Sequence, residues 1–205
     1  MDEREVNAAG ASLLEPGADL EGAVRTLLEE IGEDPDRDGL IGTPSRVRRM
    51  YSELTEGYRT DPDALINRAC FEVDYDEMVV VRDIEFYSLC EHHLLPFYGH
   101  AHVGYLPSGR VIGLSKIPRI VDMYAHRLQV QERMTQQVAH FLMDRLEPKG
   151  VACVVEATHL CTMMRGVRKQ EASMVTSAML GTFRRDPKTR GEFLTLIGRS
   201  SPMGG

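Results

Sequence analysis

The 205 residues are 42% hydrophobic and 27% charged, the balance of a globular chain long enough to bury a core without disulfides. A net charge of −7 argues against a general nucleic-acid binder, because a broad phosphate surface needs a basic face; a local basic pocket for one small polyphosphate is still allowed. No segment approaches the roughly 20 consecutive apolar residues that span a bilayer, so no membrane partner is expected.

Residues 1–18 have no periodicity and read as a mobile tail. Their start, MDEREVNAAG, lacks the basic-then-apolar order of a secretory signal, so the expected compartment is cytoplasmic. From Asp19 the pattern turns helical, with Leu20, Val24, Leu27, Leu28 and Ile31 on one face and Gly32 as the stop. A second helix should follow, with Thr43 as N-cap, Pro44 at the first helical position, and Val47, Met50, Tyr51 and Leu54 inward, ending at Gly57. The pair is too small to own a core and reads as an extension over 19–68.

The next segments read as strands. MVVVRDIEFYSL is β-branched and aromatic with only partial period-two alternation. HAHVGYLP and RVIGL suggest a hairpin turning at Pro107, Ser108 and Gly109. Helical spacing returns from Ser115 to about Arg127 and again from Val130 to Leu146, closed by Pro148 and Gly150. VACVVEATHL is a strand buried on both faces near its start, VTSAMLGTF a last strand, and PKTRGEFLTLIG a terminal helix. The order predicts an α+β domain over 69–199, an antiparallel sheet with a helix pair on one face, followed by a short tail at 200–205.

Chemistry concentrates in two short segments. Ser88-Leu89-Cys90-Glu91-His92-His93 places a thiol and an imidazole three residues apart just after a strand, and His159-Leu160-Cys161 ends another strand. Two sulfurs and one nitrogen, Cys90, Cys161 and His93, suit zinc, and three protein ligands leave a fourth position for water. That opening marks a catalytic zinc rather than a structural one, although Cys-x-x-His with a distant cysteine also occurs in structural sites. His92 and His159 remain as imidazoles beside the metal, suited to proton transfer. Cys70 and Cys153 have no flanking histidine and read as core thiols. Lys116 and Arg119 on the first turn of a helix, and Arg165 four residues after Cys161, are candidates for phosphate oxygens, with solvated surface charge as the alternative. Glu132, at the start of the next helix, is a carboxylate that could accept from a guanine-type N–H edge.

These residues sit within segments that resemble GTP cyclohydrolase I from about Leu20 to Ile197. The resemblance is carried by GLIGTPSRV, DEMVVVRDIEFYSLCEHHLLPFYG, GYLP, VIGLSKIPRIVDMYAHRLQVQERMTQQ, ACVVEATHLCTMMRGV, VTSAMLG and TRGEFL. It implies conversion of GTP and water to 7,8-dihydroneopterin triphosphate and formate, the first step toward folate or tetrahydrobiopterin. It also implies the tunnelling fold, in which subunits pool their sheets into a barrel, and a homodecamer of two stacked five-membered rings. A regulatory protein partner and allosteric control stay open. The family's zinc ligands fall on Cys90, His93 and Cys161, and its catalytic histidines on His92 and His159. The guanine anchor falls on Glu132 with Gln131 beside it, the ribose-side hydroxyl on Ser115, and the triphosphate contacts on Lys116, Arg119 and Arg165, with Arg46 a weaker match. Two departures stand out: Ala172-Ser173-Met174 where the family has a Ser-Lys-Thr stretch, and His100 where lysine is common. A zinc nucleobase deaminase is the rival enzyme, but its His-x-Glu and Pro-Cys-x-x-Cys signature is missing. A non-catalytic zinc module for protein interaction is the other rival, and the spare histidines argue against it.

Overall fold

The computed structural model describes residues 19–66 and 69–198, so the expected tails at 1–18 and 200–205 lie outside the described residues. The chain forms two compact units that divide between Thr60 and Asp61. The first holds α1 (Leu20–Glu30), α2 (Thr43–Leu54) and a single 3-10 turn, Glu56–Tyr58. Asp19 caps α1 by accepting from the Gly22 amide at 2.7 Å. Of the expected apolar stripe, Val24 and Leu28 are buried, whereas Leu27 and Ile31 are 60% and 65% exposed; α2 is too narrow to cover the whole stripe. Thr43 is not the cap: the helix begins one residue sooner, with Gly42 in that position and no side-chain bond. Pro44 still fits, because the first-turn amides have no intrahelical partner to lose. The helix ends at Leu54, ahead of the expected Gly57.

The second unit opens with α3 (Pro62–Ile66) and β1 (Cys70–Glu72), followed by β2 (Val79–Cys90), β3 (Pro96–Leu106) and β4 (Arg110–Ile112). Helix α4 (Lys116–Ala125), the two-residue strand β5 (Leu128–Gln129) and α5 (Gln131–Leu146) come next. The chain continues through β6 (Gly150–His159), the short α6 (Leu160–Met163), β7 (Met174–Gly181), α7 (Thr182–Arg185) and α8 (Pro187–Ile197). Five strands form one sheet in the order β5-β2-β3-β6-β7, antiparallel except for the parallel β2–β5 pair. The expected β3–β4 hairpin does not form. Tyr105 of β3 already pairs with Val79 on one side and Val151 on the other, so β3 has no free edge, and β4 pairs with β1 instead.

The incomplete alternation of β2 has a structural cause. Between Val81 and Ile84 the register against β3 slips by one residue, a bulge in which Asp83 takes φ 56°. The slip exchanges odd for even positions. Val79 and Val81 face the helices before it, and Ile84, Phe86, Ser88 and Cys90 face them after it. An unbroken strand would have turned Cys90 to the opposite side. His102 of β3 braces the bulge, its Nδ1 accepting from the Asp83 amide at 3.1 Å.

On the helix side, α4 lies against β2 and α5 against β6 and β7, enclosing one core that includes Phe86, Phe97, Tyr105, Ile120, Met134, Leu142, Val155 and Cys153. Full burial pushes the Cys153 thiol up to about 12, so it stays protonated, as a core thiol should. Among the described residues, the other side of the sheet is covered only at one end, where Phe183 and Phe193 pack on Ala152 and Val154.

Candidate metal centre and its surroundings

Sheet order brings the two chemistry-bearing segments to one end of the sheet. Strand β2 ends at Cys90, the chain turns through Glu91–Leu95, and β3 begins opposite it. The turn is closed by the Cys90 amide on the Leu95 carbonyl (2.9 Å) and the Leu94 amide on the Cys90 carbonyl (2.8 Å), with Leu94 at φ 55°. On the far side of β3, His159 pairs with Phe97, and Cys161 follows on the first turn of α6. The donor atoms of Cys90, His93 and Cys161 all lie within 4.8 Å of one another. Tetrahedral zinc needs its donors roughly 3.5–4 Å apart, so small side-chain adjustments suffice, and the soft donor set fits that metal. Both thiols are buried and His93 is exposed. Burial and the neighbouring Cys90 sulfur push the Cys161 thiol up, while the Arg165 charge pulls it down. Two thiols crowded together this way gain from a shared cation, which removes both the burial penalty and their mutual repulsion.

His159 stacks on Phe97 with the ring planes 1° from parallel and the centroids 4.7 Å apart. Its Nε2 is 2.8 Å from Oε1 of Gln131, the first residue of α5. Burial holds its pKa below the ordinary histidine range, partly offset by the Glu132 carboxylate, so the ring is neutral at pH 7. His92 is exposed on the turn, its ring edge-on to His93 and its Nε2 3.9 Å from Glu91. Glu91 is paired in turn with Arg133, which also donates to the Gln129 side chain (3.1 Å) and the Leu128 carbonyl (3.1 Å). The turn is therefore tied to the start of α5.

Cys90, His93, Cys161, His159, Gln131, Glu132 and Arg165 are thus gathered at one place, with His92 beside them. Ser115, Lys116 and Arg119 are not. Ser88, two residues before Cys90, donates to the carbonyl of Ala125 at the last turn of α4, whereas Lys116 begins that helix. Nine residues at 1.5 Å each put Lys116 about 14 Å back along the axis. Arg46 belongs to the first unit and is exposed. Gln131, expected at the guanine site, is 1% exposed and its amide is committed to protein groups. The sequence reading passed over Phe97, Thr135 and Thr176. A threonine four residues after Gln131 on the apolar side of α5 was the available signal.

A family profile described as GTP cyclohydrolase I matches residues 20–198. GTP cyclohydrolase 1 of Leptospira biflexa is 57% identical over 178 residues, covering 87% of this chain and 97% of that protein. The Methylococcus capsulatus protein of the same name is 60% identical over 173 residues (84% and 94%), and that of Saccharomyces cerevisiae 56% over 183 (89% and 75%). A solved structure, the archaeosine synthase QueF-Like in the apo form, aligns with 53% of this chain and 97% of its own at 17% identity and a TM-score of 0.43.

Proposed function

The chain belongs to the GTP cyclohydrolase I family, and from that premise we propose that it converts GTP and water to 7,8-dihydroneopterin triphosphate and formate, using zinc held by Cys90, His93 and Cys161. The observation that carries this reading is the convergence of those three donors beside the half-buried His159 and the Glu132 carboxylate. When bound, the metal supplies Lewis acidity that makes water a competent nucleophile near neutral pH. The remaining work falls to the chain's own groups. Glu132, at the exposed start of α5, accepts from the N1–H and 2-amino group of guanine, a donor pair that adenine lacks. His159 and His92 exchange protons with the opening ring and with the leaving formyl group. Arg165 holds phosphate oxygens on the metal side.

Lys116 and Arg119 do this from a neighbouring subunit. Helix α4 holds them a helix length from their own metal group, so a single chain offers an incomplete pocket. The outer edge of β2 from Val79 to Ser88 and that of β7 have no partner strand among the described residues. Closure with identical copies would cover both edges, and we assign a ring-forming oligomer, a decamer by resemblance. The product then enters folate or tetrahydrobiopterin synthesis. The assay is chromatographic detection of formate and a fluorescent pterin from GTP, run on assemblies mixed from His92→Ala and Arg119→Ala subunits. Each variant alone should be nearly inactive, and co-assembly should restore part of the activity. A fully active monomer would defeat the shared site, and parent protein yielding neither product would defeat the reaction.

A further inference from the structure

Gln131 is the most completely bonded side chain near the site. Its Nε2 lies 3.0 Å from the Val155 carbonyl, 2.9 Å from the Met174 carbonyl and 3.1 Å from the Thr176 hydroxyl. Carbonyl oxygens only accept, so this end of the amide is the NH2 and the oxygen must point the other way. The hydroxyls agree. Thr135 donates to the Gln131 backbone carbonyl at 2.7 Å, and Thr176, 2.7 Å from Thr135, donates to it in turn. That leaves the Thr176 lone pair facing the Gln131 NH2. With the amide locked, Oε1 faces Nε2 of His159 at 2.8 Å, and an amide oxygen has no hydrogen to give. The hydrogen on that bond therefore belongs to histidine.

We propose that Gln131 is a positioning residue that fixes His159 in its Nε2–H tautomer and so leaves the lone pair of the ring on Nδ1. Among the described residues Nδ1 has no protein partner, and the parallel Phe97 ring holds the imidazole plane in place. The burial of Gln131 separates this role from contact with the guanine. A side chain 1% exposed, with its NH2 bonded to the backbone of two strands, has nothing left to offer a ligand. The tautomer follows from hydrogen-bond geometry alone; the catalytic consequence rests on the reading of His159 as a proton-transfer group.

The test is nitrogen NMR of metal-loaded protein labelled with 15N-histidine, the His159 signals being those lost in His159→Asn, alongside steady-state kinetics on GTP. The parent should show the ring couplings of Nε2–H. Gln131→Met, which keeps the volume and removes the acceptor, should give a mixed tautomer and lower kcat about 10–100-fold with KM nearly unchanged. Thr176→Val disturbs the same network but leaves the Oε1···Nε2 bond, so it should keep the tautomer and lose less than about threefold in kcat. An Nδ1–H ring in the parent overturns the proposal, and so do equal losses in the two variants. A raised KM with unchanged kcat in Gln131→Met would return the residue to substrate binding. Parent protein with Nε2–H histidine but no formate from GTP would sink the functional reading and leave the tautomer assignment standing.

Discussion

The two sides of the five-stranded sheet are built on different terms. The side under α4 and α5 is closed along its whole length, and its core runs without a break from Tyr105 at one end to Cys90 and Cys161 at the other. Among the described residues, the opposite side is closed only where Phe183 and Phe193 sit; beyond that, Tyr87 and Tyr98 stack at 5.7 Å, next to the exposed His100 and Glu156. The proposed chemistry lies at the end of the closed side, where a rigid, dry backing holds Gln131, His159 and the thiols in single arrangements. The open side supplies stability at one end and surface along the rest. The β2 bulge joins the two, because it decides which side Cys90 faces.

The comparison is broken most forcefully at the metal group. Cys161→Ser should lose both zinc and turnover, by about a thousandfold or more, while the protein stays folded, because an alcohol is a poor substitute for a thiolate ligand. Glu132→Ala should lose comparable activity yet keep its metal, since the carboxylate is assigned to guanine. Metal analysis showing a full zinc equivalent in Cys161→Ser would remove the ligand assignment, and unchanged GTP kinetics in Glu132→Ala would make that residue mere surface.

The opposite side should respond in stability and not in chemistry. Phe193 is fully buried, edge-on to Phe183 at 5.6 Å, and a Cβ on Gly104 would come within 2.8 Å of its ring. Only glycine lets that ring lie so close to β3. Phe193→Ala should destabilise the protein by about 3–5 kcal/mol in denaturant unfolding. Turnover per folded molecule should stay within about twofold, because the site is at the other end of the sheet. A large fall in kcat at full folding would show that the two sides are coupled.

The smallest effect should come from the bulge. Burial holds His102 below the ordinary histidine range, opposed by Asp83, with His100, Glu156 and Arg82 also facing it. A depressed folded pKa means that the unfolded chain takes up the proton first. The stabilising contribution is complete above about pH 6.5 and is lost as pH falls from there toward the folded value. Protonation would also remove the acceptor for the Asp83 amide. Unfolding midpoints at about pH 7.5 and about pH 5.5 should therefore differ in the parent and differ less in His102→Gln, which keeps an acceptor that does not titrate. His159, depressed for the same reason, adds a slope of the same sign. An identical pH dependence in parent and His102→Gln would exclude the brace.

What the sequence determined by itself was local. Residue types at short spacing identified Cys90-x-x-His93 and His159-x-Cys161, the helical spans of α4 and α5, and most strands to within two residues, because those signals need only neighbours along the chain. Pairings and distances across the molecule were decided elsewhere. That β4 joins β1 follows from both edges of β3 being occupied, and that Lys116 and Arg119 stand apart from Cys90, His93 and Cys161 follows from the direction of α4. The partial alternation of MVVVRDIEFYSL became interpretable only when β3 supplied a register against which one extra residue could be counted. Gln131 makes the same point for chemistry: the family resemblance put it beside Glu132 at the guanine, but only burial and four fixed partners show that it faces His159. Hydrogen bonds between residues 24 to 45 positions apart are set by how strands and helices stack, which no local pattern encodes.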